Sequence, residues 1–144
     1  MIAFDTNVLV YAHRRETQEH ERAFELVRSY AEGSDVWAIP WPCVYEFFSV
    51  VTNPRIWSRS ATPPKAAWLQ LEAWFDAPGL RLLAETSGYR EVLAEFARRP
   101  RVRGGAIHDA RVAALCVAHG VETLFTRDRD FALFPELARS DPFL

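Results

Sequence analysis

The chain has 144 residues, 49% hydrophobic and 25% charged, with a formal net charge of −2. That balance excludes disordered and fibrous classes and fits one domain over residues 1–144, large enough to bury a core without disulfide staples. No apolar run approaches the ~20 residues of a membrane span, and the opening Met1-Ile2-Ala3-Phe4 has no basic leader, so the sequence reads as cytoplasmic with no membrane partner.

Met1 to Phe4 reads as a short buried strand, stopped by Asp5-Thr6-Asn7, which caps a helix beginning near Val8. Thr17 opens a second helix, with Ala23, Phe24, Val27 and Tyr30 at helical spacing and Gly33 as its stop. Val36 to Ile39 predicts a second strand. Pro42 suits the first turn of a third helix, which turns Val44, Phe47, Phe48 and Val51 inward until Asn53-Pro54 breaks it. Residues 54–62 read as a loop, and Pro63-Pro64 start a helix holding Trp68, Leu71, Trp74 and Phe75. Leu80 to Ala84 is a third strand, followed by a helix over residues 87–98 and a basic loop from Arg98 to Gly105. Ile107 to His119 forms a helix with an alanine-rich inner face, ended by Gly120. Thr123 to Phe125 is the last strand, and a short helical piece covers Phe131 to Leu137. This alternation predicts an α/β fold, a mostly parallel central sheet of four to five short strands flanked by helices.

Ligands of such a sheet collect at the carboxyl ends of its strands, and four acids are placed to reach that edge. Asp5 follows the first strand, Glu46 lies one turn into the helix after the second, Asp109 opens the alanine-faced helix, and Asp128 follows the last strand. Taken singly, each has a structural reading. Asp5 can be a helix cap, Glu46 part of a solvated stripe, Asp109 a first-turn acid favoured by the helix dipole, and Asp128 and Asp130 turn residues. Together they conflict, because each carboxylate raises the others' pKa, and a hard divalent cation resolves the conflict. The same crowding predicts that Asp5→Asn raises the metal-free melting temperature by relieving repulsion.

The wording around these acids resembles the PIN-domain ribonucleases, and more closely the VapC-type toxins of toxin–antitoxin modules. The resemblance lies in Phe4-Asp5-Thr6-Asn7-Val8-Leu9, Pro42-Cys43-Val44-Tyr45-Glu46-Phe47, Gly104-Gly105-Ala106-Ile107-His108-Asp109-Ala110 and Thr126-Arg127-Asp128-Arg129-Asp130-Phe131, with Phe134-Pro135-Glu136-Leu137 behind them. It implies a single PIN-like domain that hydrolyses RNA with one or two Mg²⁺ or Mn²⁺ ions. Asp5, Glu46, Asp109 and Asp128 would be the catalytic and metal-site acids, with Thr6, Asn7, Thr126 and Asp130 in support. It further implies a homodimer, a cognate antitoxin protein, and inhibition of translation through the RNA that is cut. The Trp-rich stretch 54–76 is the expected partner surface.

Of the 17 basic residues only Lys65 is a lysine, and the arginines cluster at Arg14-Arg15, Arg98 to Arg103, and Arg127/Arg129. Their planar forks suit phosphate, so Arg98, Arg99, Arg101, Arg103, Arg14 and Arg127 are the candidate RNA contacts. His13 and His20 read as surface histidines, His108 as a capping or supporting group, and Cys43 and Cys116 as reduced core residues. Two rival functions differ in their needs. A phospho-aspartyl enzyme or receiver domain requires a second acid beside Asp5 or a lysine after a late strand, whereas Thr6-Asn7 and Lys65 stand in this chain. A non-catalytic RNA-binding or interaction protein on the same fold needs no acids, and all four are present.

Overall fold

A computed structural model describes residues 1–144. Its strands are β1 (Ile2–Phe4), β2 (Trp37–Pro40), β3 (Leu80–Leu83), β4 (Thr123–Phe125) and β5 (Ala138–Ser140). They form one sheet in the order β3-β2-β1-β4-β5, every pairing parallel. Parallel neighbours require crossovers, and seven helices supply and flank them: α1 (Thr6–His13), α2 (His20–Ala31), α3 (Trp41–Val51), α4 (Pro54–Trp57), α5 (Pro64–Phe75), α6 (Tyr89–Ala97) and α7 (Ala106–Ala118). Covered on both faces, β2 is buried at all four residues and reads as an apolar run, not as an alternation. Trp37, Phe4, Phe47, Phe96 and Phe134 are the bulkiest fully buried side chains. No helix is long and apolar enough to cross a membrane.

Gly79 is dictated by close approach. A Cβ there would lie 2.3 Å from the Asp35 carbonyl oxygen, so any larger residue would push β3 away from the entry to β2. Gly120 takes φ +74 just past α7, the left-handed stop that the sequence predicts at this helix end.

The differences from the sequence reading have local causes. The N-terminal helix begins at Thr6, two residues early, because Asp5 itself is its cap. The second helix begins at His20 instead of Thr17. The Thr17 hydroxyl and amide both donate to the Arg14 carbonyl, at 2.7 and 3.2 Å, and close a turn. Residues 54–62 are not a plain loop but hold α4 and a 3₁₀ turn over Ser58–Ser60. Asn53 Oδ1 accepts from the Arg55 amide at 2.9 Å and Pro54 takes the first helical position, so Asn-Pro ends one helix and starts the next. The C-terminal helical piece is a 3₁₀ turn over Arg129–Leu133, and β5 follows it with all three residues exposed. His13 and His20 are not loose surface groups. His13 Nε2 lies 2.9 Å from Thr62 Oγ1 and its Nδ1 lies 3.3 Å from Gln70 Oε1, while burial pushes its pKa down. His20 Nδ1 lies 2.9 Å from the Tyr11 carbonyl oxygen.

Candidate active site

The chain runs outward from β1 to β2 and β3, then returns to place β4 on the other side of β1. The crevice at the carboxyl ends of β1 and β4 is therefore the topological switch point of the sheet. The Asp5 amide donates to the Phe125 carbonyl at 3.0 Å and fastens the two strand ends together. Asp5 is buried there, and four donors converge on its carboxylate. Oδ1 accepts the Thr6 amide at 2.8 Å and the Cys43 thiol at 3.6 Å. Oδ2 accepts the Thr126 hydroxyl at 2.7 Å and the Asn7 side-chain amide at 3.1 Å. Thr126 Oγ1 itself accepts from Asn7 Nδ2 at 3.1 Å and from the Asp128 amide at 3.0 Å, which directs its own proton to Asp5. Asn7 Oδ1 accepts the Arg127 amide at 3.1 Å, which sets the orientation of the Asn7 amide. Thr6, Asn7 and Thr126 thus surround Asp5, and the Thr6 hydroxyl also donates to Glu46 Oε2 at 3.2 Å.

A cavity of about 790 Å³ opens over this network, walled by α1, α3 and α7 and lined by Asp5, Glu46, Asp109 and Asp128. Carboxylate oxygens of Asp109, Asp128 and Asp130 lie within 4.8 Å of one another. Asp130 is exposed, outside the cavity lining, and its amide donates to Asp128 Oδ1 at 2.8 Å. None of these five acids is ion-paired with Arg, Lys or His. Their protonation records the crowding. Asp109 is pushed up to about 6, first by desolvation and then by Asp128, Asp5, Asp130 and Glu46. Asp5 is raised by burial against the pull of its donors, and Glu46 by desolvation followed by Asp5. Carboxylate oxygens gathered at one edge of the cavity with no cationic partner suit a hard dication, so the residues present fit such an ion.

A pH dependence follows. Asp109 holds its proton to higher pH in the folded chain than in the unfolded chain, so folding binds protons between about pH 3.8 and 6. Its contribution to stability is therefore greatest below that window and lost as the pH rises through it. In EDTA, the melting temperature of Asp109→Asn minus that of the native chain should be larger at pH 7 than at pH 5. A difference that does not change with pH would show that Asp109 is not electrostatically strained.

The arginines named from the sequence lie elsewhere. None of Arg98, Arg99, Arg101 and Arg103 lines the cavity. Arg99 donates to the Leu133 carbonyl at 2.9 Å and is paired with Glu136, while Arg103 donates to the Pro100 carbonyl at 2.9 Å. Arg127 pairs with Glu19 at 3.4 Å and lies 4.9 Å over the Phe143 ring. Arg14 is the clearest correction, being buried. It donates to the Ser60 carbonyl at 2.8 Å and Thr62 Oγ1 at 3.1 Å, pairs with Glu16, and lies 4.0 Å from the Trp57 ring centre. It clamps the α4 segment to the end of α1. Since Trp57 lines the cavity, this clamp also fixes one of its walls. The arginine that does line the cavity is Arg111, beside the exposed His108. The alanine stripe dominates the pattern of α7, and an isolated arginine two positions after Asp109 carries no motif. Its placement three residues after His108, hence on the same helical face, is the signal that points to it.

Comparison with known proteins agrees with this geometry. The family model described as PIN domain matches residues 2–137. Ribonuclease VapC48 of Mycobacterium tuberculosis is 31% identical over 140 residues, covering 97% of this chain and 96% of the relative. Among solved structures, VapBC2 from Rickettsia felis bound to a promoter DNA fragment superimposes with a TM-score of 0.66 at 19% identity, covering 97% of this chain and 98% of the other. Mycobacterium tuberculosis VapC20, a sarcin-ricin loop cleaving toxin, also gives 0.66 at 19% identity, with 92% and 93% covered. At such identities the two structures speak for the fold.

Proposed function

The chain belongs to the PIN domain family, and from that premise we propose that it is a divalent-metal-dependent endoribonuclease, the toxin of a toxin–antitoxin pair. The observation that carries the reading is the convergence of Asp5, Glu46, Asp109 and Asp128 on one cavity at the switch point with no cationic side chain paired to any of them. RNA as the substrate rests on the relatives being ribonucleases, and the antitoxin partner on a neighbour being a VapBC structure. Exposed Ile56, Trp68 and Leu69 on α4 and α5 offer apolar surface for that antitoxin or for a second copy in a homodimer. Free buried Cys43 and Cys116 suit a reducing, cytoplasmic setting.

Asp109, Asp128 and Asp5 would hold one or two Mg²⁺ or Mn²⁺ ions, with Glu46 as a ligand or through water and Asp130 in support. Such an ion supplies Lewis-acid polarisation of the phosphodiester and makes water a competent nucleophile at neutral pH. The chain's own part is positional. Thr126 and Asn7 pin Asp5 so that it does not turn away from the cavity. Glu46 keeps Oε1 free while Thr6 holds Oε2, which leaves one oxygen to take a proton from the attacking water. The test is incubation of the purified chain with RNA in Mg²⁺, Mn²⁺ or EDTA. Products with 5′-phosphate ends are expected in the two metals and none in EDTA. Undiminished cleavage in EDTA would overturn the reading.

A further inference from the structure

Tyr45 sits on α3 immediately before Glu46, and at 61% exposure it is among the most exposed large side chains of the chain. Its ring is backed by Trp41, one turn earlier, with centroids 6.0 Å apart and planes tilted by 27°. Trp41 is wedged in turn against Phe75 at 5.9 Å. The platform is therefore stiff behind and open in front. A second hollow of about 400 Å³ lies alongside the first cavity, and the two share Pro42, Tyr45 and Arg111 in their linings. The groove over the acids thus continues across a saddle made by Tyr45 of α3 and Arg111 of α7. Arg111 is the one arginine or lysine lining the first cavity, and no carboxylate lies within 4.0 Å of its guanidinium, although acids line both hollows. Arg111 interacts with the Tyr89 side chain but with no carboxylate, so its charge is not neutralised. An exposed, braced aromatic ring beside such a guanidinium, continuous with a phosphodiester-cleaving centre, has the chemistry of a single-stranded nucleotide site. The ring offers a face to any base and the fork grips a phosphate.

We propose that Tyr45 and Arg111 form a nucleotide subsite next to the scissile bond, with an unpaired base stacked on Tyr45 and the adjoining phosphate held by Arg111. The subsite requires that base to be splayed out of any helix, so it selects loops and single strands over duplex RNA. It rests on the ribonuclease reading above.

The test compares the native chain with Tyr45→Ala, Tyr45→Phe and Arg111→Gln. The probe is a fluorescent single-stranded RNA 12-mer containing a bond that the native chain cuts. Steady-state cleavage is measured in Mg²⁺, and binding by anisotropy in EDTA across a salt series. Tyr45→Ala should weaken binding and raise KM by roughly 5- to 100-fold, and Tyr45→Phe should keep native affinity. Arg111→Gln should flatten the logarithmic salt dependence by about 0.7, the share of one single-strand phosphate. An abasic nucleotide walked along the positions flanking the cut should weaken native binding at one position and cost Tyr45→Ala nothing further there. Native affinity in Tyr45→Ala, or abasic losses that add to it, would overturn the subsite. So would a change in molar mass of Tyr45→Ala by light scattering with RNA affinity intact, which would make the face a contact between copies. A native chain that cuts no RNA at all sinks the ribonuclease reading instead, and that failure is visible before any variant is compared.

Discussion

Asp109→Asn is expected to fold normally and to cleave RNA roughly 10²–10⁴-fold more slowly than the native chain, the span of several kcal/mol of lost charge stabilisation. Asp109 is the clean position for this experiment because its carboxylate takes no hydrogen bond from the protein, whereas its charge is opposed by four neighbouring acids. Removing that charge leaves no donor stranded and relieves repulsion, so the metal-free melting temperature should rise while activity collapses. Asp5→Asn should also lose cleavage, but its stability should move the other way, against the expectation drawn from charge alone. Both Asp5 oxygens accept two hydrogen bonds, and Thr126 Oγ1 already accepts twice. Whichever oxygen becomes an NH₂ group faces donors, at a cost of about 1–3 kcal/mol. Calorimetry and a gel-based cleavage assay on both variants check the pair of statements. Native-level cleavage by folded Asp109→Asn would remove Asp109 from the metal-site acids.

Metal addition is expected to produce the largest stability change of any condition. An ion that binds only the folded arrangement adds ~2.7 kcal/mol at one hundred times its Kd. For a chain of this length that is a melting-temperature rise of roughly 5–10 °C. Mg²⁺ and Mn²⁺ should both give it to the native chain, and Asp109→Asn should lose most of it. Thermal denaturation in EDTA and in millimolar metal measures the rise directly. A native transition that ignores both metals would mean that the acids form no preorganised site.

The order of strands and helices was legible because burial on both faces makes β1, β2 and β4 apolar and because Pro42, Gly33 and Gly120 mark helix ends. The exposed edge strand β5 was not, since Ala138-Arg139-Ser140 bury no face and so leave no periodic trace. Asp5, Asp109 and Asp128 stood out because each follows a strand or lies in a first helical turn at the same sheet edge, and Glu46 because it lies within the helix that follows the second strand, a topological signal readable along the chain. The cavity cations were hidden for the opposite reason. A run such as Arg98 to Arg103 is conspicuous in sequence, yet Arg99 is spent on Glu136 and the Leu133 carbonyl. What keeps a guanidinium out of an ion pair is the three-dimensional absence of a carboxylate, as at Arg111, and that leaves no mark on spacing. The burial of Arg14 is a similar case, since its partners Ser60 and Thr62 lie 46 and 48 positions away.

The hydrogen bond from Thr126 to Asp5 spans 121 positions of the chain. Its donor belongs to the stretch after β4, which also brings Asp128, while the acid it orients is made almost at once. Synthesis runs from the N-terminus and a domain folds as a unit, so through most of synthesis Asp5 has no Thr126 and the cleft has no Asp128. The nascent chain therefore lacks the complete set of acids while it is still beside the ribosome that makes it. The acid cluster is complete only once the final strands are made, and a premature stop codon anywhere ahead of Thr126 removes Asp128 and the Thr126 hydroxyl together.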